Sequence, residues 1–600
     1  MEHLLKKLFF SSTILFLFYN SPASSQLQEQ WRFLYNNGIT SGHNPASVVC
    51  DSDCNTYLTL RSYVVGQGYN IITVKLDLDG NILWSTTFNG IDNLDDIPSK
   101  VIVDTMGNVY ICGISNSISG GGDWILLKYN SSGVYQWSRT RNSTSNGFDV
   151  INDIALYNNS ILVCGNMANR AGIARYSPAG TEYWYNEIFV GTSTFNTEGL
   201  KIEVSNQERV LMLARGIDPV GNYQTNIDSF NLQTGQMSSM FYNIPDFIGF
   251  DFDLNSNGEV FVLGYSAFTV DELRIYKSSN SPFMPIYNRT CTSDINNLQG
   301  CIKVDAQNNI YCTTYDDIDT GPDTNYQFLT IKVNYTGILQ WEQYYGNVSS
   351  DYGIYMHLTS SINPDIIVCG ITTSFNGDKD VSIITYTNNG IMQVSKTSVI
   401  DVNSSDDVVK SFYVDQYNNI ISAIATGLPG SENTVCVKHI GNQIIPIMQI
   451  VNADSIACSG SFTGADYQWY YDNQPLVGEN NSSLNVLPYG NGSYYCEVEL
   501  YCVKYQSDTI AMTSVNLSGD FNSVKNKLEI YPNPSNGYVN LKISSKNIDS
   551  DIIIYNQYAQ DIIIRSRDEL VENDGRISMK LNSGVYIIKY SNQLVKAVVQ

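Results

Sequence analysis

Val101-Ile-Val-Asp104, Asn108-Val-Tyr-Ile-Cys-Gly113, Asp123-Trp-Ile-Leu-Leu-Lys-Tyr129 and Gly133-Val-Tyr-Gln-Trp137 follow one another in a single stretch. Three short apolar runs and the start of a fourth are separated by Asp, Asn and Gly. β-branched and aromatic residues suit a pleated, half-buried strand, and Asn, Asp and Gly suit the turns between strands. The same phrase recurs along the chain. Gly-x-x-x-Trp occurs at Gly80 to Trp84, Gly133 to Trp137, Gly180 to Trp184 and Gly337 to Trp341, and a further copy from Gly390 places Val394 in the Trp slot. The turn before the second strand recurs near Asp51, Asp104, Tyr157, Ser205, Leu254, Asp305, Asn363 and Asp415, at spacings of 53, 53, 48, 49, 51, 58 and 52 residues.

Four strands of five to eight residues with their turns use about fifty residues, the size of one β-propeller blade. A lone blade cannot bury both faces, but a ring of them can, and the ring leaves no long open edge. The start of the chain supports closure. Gln30-Trp31-Arg-Phe-Leu-Tyr reads like the fourth strand that begins at Trp84, Trp137 or Trp341, and a first strand ending at Cys50-Asp51 follows it. The last repeat supplies Asn419 to Ala425 and Thr434 to Ile440 and then stops. These observations predict an all-β chain whose closing blade is shared between both ends of residues 26–442. Eight repeat starts imply eight blades, or seven if residues 205–250 do not form a full blade.

The phrase Gly107-Asn-Val-Tyr-Ile-Cys-Gly113, Asp123-Trp-Ile-Leu-Leu-Lys-Tyr-Asn130, Gly133-Val-Tyr-Gln-Trp137 resembles the bacterial β-propeller repeat called SBBP over residues 27–441. That resemblance implies a propeller in a secreted protein and implies no activity, because one fold hosts many functions.

Lys and Arg number 34 against 58 Asp and Glu, a net charge of −24. This argues against nucleic acid and against an anionic lipid surface, both of which need a basic footprint. Lys6 and Lys7 precede an apolar run from Leu8 to Phe18, and Ala23-Ser24-Ser25 follows. This reads as a signal peptide, residues 1–25, with cleavage between Ser25 and Gln26. No later apolar run is long enough to span a bilayer as a helix.

The period breaks near Ile445. Cys458, Trp469, Tyr494 and Cys496 follow with immunoglobulin spacing, a Cys, a Trp eleven residues on, and a Tyr two before the second Cys. Residues 443–516 therefore read as an immunoglobulin-like β-sandwich in which Cys458 pairs with Cys496, with Cys458–Cys502 as the competing pairing. A linker at 517–528 leads to a small C-terminal β-sandwich. Its marks are Pro532-Asn533-Pro534-x-x-Gly537, then Gly584 and Tyr586, and finally Lys596. Residues 529–600 resemble the type A C-terminal sorting domain of the type IX secretion system of Bacteroidetes. The resemblance implies that the secretion machinery is a partner and that the protein is displayed at the outer cell surface or released after passing through the periplasm.

Little in the chain announces chemistry. Cys112, Cys164 and Cys369 share one repeat position and read as small core residues. Cys50 with Cys54, and Cys301 with Cys312, are close enough in sequence to pair. Asp253-Leu-Asn-Ser-Asn257-Gly258 imitates a calcium loop, but Gly264 stands where a bidentate Glu is needed, so a turn is the better reading. His43, His357 and His439 lie in different repeats. No catalytic residue, cofactor or metal is expected. The recurring Trp residues could offer a carbohydrate platform, but their repeat position marks them as packing elements. A ligand site is expected on one rim or in the central channel. The resulting expectation is an exported binding or adhesion protein whose propeller recognises a glycan or a protein. The alternative is a secreted polysaccharide hydrolase or lyase.

Overall fold

The computed structural model describes residues 27–512, apart from short segments between strands, and the strands between residues 527 and 599. The propeller has eight blades. Seven are consecutive four-stranded antiparallel sheets, with strands at residues 43–88, 96–141, 149–188, 195–245, 247–290, 301–345 and 352–398. The eighth pairs the strands Asp407–Val414, Ile420–Thr426 and Asn433–Ile440 with the N-terminal strand Gln28–Tyr35, in which Phe33 lies opposite Cys436. The ring thus closes by hydrogen bonding between the two ends of the repeat array. Residues 195–245 form a complete blade despite the faint repeat there. Its fourth strand, Tyr242–Pro245, has four residues and no Trp, which is why the phrase fades. In blade 7 the turn begins at Thr359 rather than near Asn363, and its loop extends to Asp365, which accounts for the longest spacing.

The repeated residues explain themselves in contacts. In blades 1, 2 and 6 the turn Asp (Asp51, Asp104, Asp305) accepts the backbone N–H groups two and four residues on, and its second oxygen accepts a Tyr hydroxyl at 2.9 to 3.1 Å. A Lys ammonium from the third strand lies over each of those rings: Lys75 on Tyr57, Lys128 on Tyr110 and Lys332 on Tyr311. The Gly-x-x-x-Trp phrase joins neighbouring blades. Gly133 has φ +77°, and a Cβ there would sit 2.7 Å from the Trp84 ring of the preceding blade. Gly180 meets Trp137, Gly235 meets Trp184 and Gly390 meets Trp341 in the same way. Gly80 meets Trp31, so the N-terminal strand occupies the Trp position of the closing blade. The indoles of Trp84, Trp137, Trp184 and Trp341 each donate to a backbone carbonyl of the next blade at 2.9 to 3.1 Å. The Trp residues are therefore seams between blades.

Residues 446–512 form two further sheets, one of three strands and one of five. Their core holds Cys458, Trp469, Tyr494 and Cys496, all buried. This module docks on blades 8 and 1. Cys502, in the turn after the strand Gly492–Leu500, is disulfide-bonded to Cys54 in the first turn of blade 1, with 5.5 Å between their Cα atoms. Lys438 of blade 8 donates to the Cys502 carbonyl at 2.7 Å, and Lys504 pairs with Asp79 of blade 1. Ile440, Leu500, Val503 and Tyr505 form a small apolar cluster at the junction. Two expectations are overturned. Cys54 does not pair with Cys50, and Cys502 does not compete for Cys458. Cys50 is instead buried in the core between blades 1 and 8.

The C-terminal unit, described by itself, contains one sheet of the strands Lys527–Tyr531, Tyr538–Ser544 and Arg576–Lys580. A second is built from Asp561–Arg565, Ile552–Tyr555, Gly584–Tyr590 and Gln593–Val599. Gly584 lies opposite Val599, Tyr586 opposite Ala597 and Lys596 opposite Ile587. Pro532, Asn533, Pro534 and Gly537 lie outside the described residues, as do Ser25 and Gln26.

Candidate functional site: the central channel

The first strand of each blade lines the channel. Its sequence would point alternate residues inward, but the pairing shifts register at one equivalent place in seven blades, between Pro45/Ser47, Pro98/Lys100, Ile151/Asp153, Gly199/Lys201, Gly249/Asp251, Gly353/Tyr355 and Val409/Ser411. In blade 6 the strand begins at that place, with Cys301. A bulge re-aims side chains and adds one without a partner. Here it sets a ring of eight equivalent residues around the channel: Ser47, Lys100, Asp153, Lys201, Asp251, Cys301, Tyr355 and Ser411.

Seven of these reach the next blade. Lys100 pairs with Asp153, whose other oxygen accepts the Ile202 N–H at 2.8 Å. Lys201 donates to Asp251 at 2.8 Å, and Asp251 accepts the Ile302 N–H at 2.8 Å. The Cys301 thiol points to the Met356 carbonyl, the Tyr355 hydroxyl donates to the Lys410 carbonyl at 2.6 Å, and Ser411 Oγ accepts the Val48 N–H at 3.1 Å. Two residues further along, Glu203 pairs with Lys201 at 2.7 Å and Asp253 accepts the Val304 N–H at 2.7 Å. The calcium-like segment is therefore a strand end and a turn. Asn255, in that turn, accepts the N–H groups of Asn257 and Glu259.

The channel holds a cavity of about 530 Å³ lined by residues of seven blades, among them Ser99, Phe250, Gln299, Lys303, Tyr355 and Lys410. That volume lies within the range of small-ligand sites. The titratable groups are set by their surroundings. Burial pushes the Cys301 thiol up to about 12, with the Asp251 charge adding to the effect. Burial, with the nearby Lys303 charge, pushes His357 down to about 4. Burial also raises the Tyr355 hydroxyl. At neutral pH the wall therefore presents a protonated thiol and a protonated phenol, and His357, two residues beyond Tyr355 on the same strand, carries a neutral imidazole. Asp153 and Asp251 are committed to Lys and backbone donors.

Other thiols and histidines lie elsewhere. Cys112, Cys164 and Cys369 are fully buried in cores between blades. Cys301 lies opposite Thr313 and faces the channel. Cys312 lies opposite Ile302 and packs in the core between blades 5 and 6, so these two do not pair. His43 is buried against Ser62 at 2.9 Å, and His439 is buried in blade 8. Sequence reading missed the ring because its members share a position and not a residue type. The signal that could have found it is the fixed offset of four residues before each turn.

Among known families, residues 529–600 match the secretion system C-terminal sorting domain. The tail is a sorting domain. The chain is thereby exported through the type IX secretion system to the cell surface or the extracellular space. No curated protein matches the sequence. Among solved structures, a polysaccharide lyase, an ulvan lyase, is 13% identical with a TM-score of 0.40, covering 67% of this chain and 95% of its own. The β-propeller domain of the Trilobed protease from Pyrococcus furiosus is 10% identical with a TM-score of 0.33, covering 60% and 99%. At those scores neither bears on the ligand, and the propeller rests on the sheet topology given above. Among the described residues no helix is long and apolar enough to cross a membrane.

Proposed function

We propose that this is an exported recognition protein whose propeller channel is the ligand site. The observation that carries it is the cavity, where side chains of seven blades converge with hydroxyl, amide, aromatic and ammonium groups. The Cys301 thiol is held protonated, and Tyr355 and Asp251 are tied into the wall. We read the repeats as SBBP-type, a reading supported by the Asp–Tyr–Lys and Gly–Trp contacts that recur from blade to blade. The module at residues 446–512 reads as immunoglobulin-like, serving as a spacer or second contact. Supporting this, Trp469 is fully buried and the Tyr494 hydroxyl donates back to the Gly490 carbonyl, the hydrogen bond of a tyrosine corner. Cys458 and Cys496 are free thiols in this structure, buried together in its core and close enough to interact, and we read them as a pair that closes in the oxidising exterior. A glycan array and a cell-adhesion assay on the full chain test the recognition reading. Absence of any ligand in both would sink it.

A second reading has one observation in its favour. Tyr355 and His357 lie on one strand with the same facing, beside Lys303, and a neutral imidazole with a phenol could abstract and return a proton on an acidic polysaccharide. Incubation with acidic polysaccharides tests it. Appearance of an unsaturated sugar, lost in Tyr355→Phe and His357→Ala, would replace binding by lyase activity. Export has its own test: deleting residues 529–600 is expected to leave the protein in the periplasm, and unchanged surface display of the truncated chain would refute the tail's role.

A further inference from the structure

The channel wall contains four lysines, Lys100, Lys201, Lys303 and Lys410, and the hydrogen-bond pattern divides them. Lys100 is taken by Asp153, and Lys201 by Asp251 and Glu203. Among the described residues no carboxylate lies within ion-pair distance of Lys303 or Lys410. The nearby acids are already engaged. Asp251 accepts from Lys201 and Ile302, and Asp253 accepts from Val304. Lys303 and Lys410 stand on blades 6 and 8, on either side of blade 7, which contributes Tyr355 between them. On this arc the Tyr355 ring stacks on Phe412, with centroids 6.2 Å apart and planes 19° apart, and Gln299 and Ser411 add polar groups.

From this we infer that the arc of blades 6 to 8 binds a short acidic saccharide, its carboxylate or sulfate lying between Lys303 and Lys410. The inference rests on the channel being the ligand site. Each of these ammonium groups lines the cavity without a direct ion-pair partner, Lys303 from a half-buried position near Asp251 and Asp253 and Lys410 from an exposed one, and so offers charge and N–H donors to a ligand anion. The chain as a whole carries −24. Its distant acids are screened beyond about 8 Å at physiological salt, so the local lysines decide the sign of the charge bound. Hydroxyl and amide groups beside aromatic faces suit a sugar ring, which presents hydroxyls at its edges and C–H groups on its faces. An extended acidic peptide would seek a row of backbone partners, and on this arc side chains of the preceding blade already take several: Asp251 and Asp253 take the Ile302 and Val304 N–H groups, and Cys301 and Tyr355 take the Met356 and Lys410 carbonyls.

Calorimetric titration of the full chain tests the inference with four probes: oligogalacturonate, a sulfated oligosaccharide of equal length, neutral cello-oligosaccharide and a tetraglutamate peptide. Binding of one or both acidic saccharides is expected, weakening as salt is raised. The first two arms separate carboxylate from sulfate. Lys303→Gln and Lys410→Gln are each expected to lower affinity about tenfold, the size of one lost charged hydrogen bond. Lys303→Arg is expected to retain most of the affinity. Lys379→Gln, at an exposed pair with Asp406, should change nothing. Thermal melting reports folding of each variant, and Lys410→Gln, at an exposed position, carries the test if Lys303→Gln does not fold. Equal affinity for the neutral saccharide, binding of the peptide alone, or unchanged affinity in both lysine variants overturns the inference. If neutral glycans bind regardless of the lysines, the recognition reading survives without it. If none of the probes binds and the array is blank, both fall.

Discussion

The outer seams and the inner channel belong to the same eight blades and follow different rules. At the seams one contact recurs: five glycines each lie against the Trp of the preceding blade, from Gly80 on Trp31 to Gly390 on Trp341. At the channel ring five residue types occupy eight equivalent places, yet seven of the eight still bond to the next blade. Packing at these five seams uses one solution, because a ring face against a Cα leaves no room for a side chain, whereas Gly337 meets Ile286 instead. The channel wall needs only that each polar group find a partner, and many residue types meet that condition. Variation is therefore allowed where ligands enter and is suppressed where blades join.

Gly133→Val attacks the seam most directly and is expected to have the largest effect. The new side chain would enter the Trp84 ring in a backbone conformation that L-residues resist, costing about 3 kcal/mol or more. Gly221→Ala, also at positive φ but with nothing within 4 Å of a Cβ, should cost only about 1 kcal/mol. Denaturant titration of the two variants sharpens the comparison, and equal losses would mean that the ring contact does not matter. At the channel, Asp251→Asn leaves Lys201 without its main partner and weakens the bond to the Ile302 N–H, so a loss of about 2–4 kcal/mol is expected. A loss below about 1 kcal/mol would show that the ring of bonds is ornamental to stability.

Cys502→Ser removes the link between the module and blade 1. Docking should weaken by about 2–4 kcal/mol, read as early proteolysis of the module and a separate melting step while the propeller melts as before. Unchanged proteolysis would mean that Lys438, Lys504 and the apolar cluster suffice.

Two buried groups give smaller, pH-dependent effects of opposite sign. Burial pushes the Asp228 carboxyl up to about 7, against an ordinary value near 3.9. The folded chain then holds a proton that the unfolded chain releases, so this group's contribution falls as pH rises from about 4 to about 7. Asp228→Asn should flatten that slope. His357 is pushed down to about 4 from an ordinary value near 6.5, so the unfolded chain takes up the proton first. Its contribution is complete above about 6.5 and is lost as pH falls through about 4. His357→Gln should remove that acid-side loss. Melting curves at several pH values check both, and slopes that stay parallel to the unaltered protein would refute these assignments.

Much of the fold is legible in the sequence. Trp31 announced a fourth strand without its first three, and Gly-x-x-x-Trp announced blades, because a seam repeats its residues at a fixed interval. Blade 4 was faint because its short last strand carries no Trp. The site was less legible. Lys303 and Lys410 sit on either side of blade 7, two and five residues before their turns rather than at the ring position of Lys100 and Lys201, and that offset alone does not say which lysines are paired. Only the bonds around the ring show which lysines are already neutralised.

The sequence by itself determined the strands, their turns, the closure through Trp31 and the exported fate written in the tail. These follow from periodic, short-range patterns: alternation sets strands, Asn and Gly set turns, and a recurring Trp sets the spacing. The tertiary structure alone decided that Cys502 bonds Cys54, 448 residues away. It alone decided that bulges set eight residues of five types into one ring, and that two lysines in the channel have no ion-pair partner among the described residues. Those outcomes depend on which side chains meet across blades, and ring closure brings together residues that no local pattern relates.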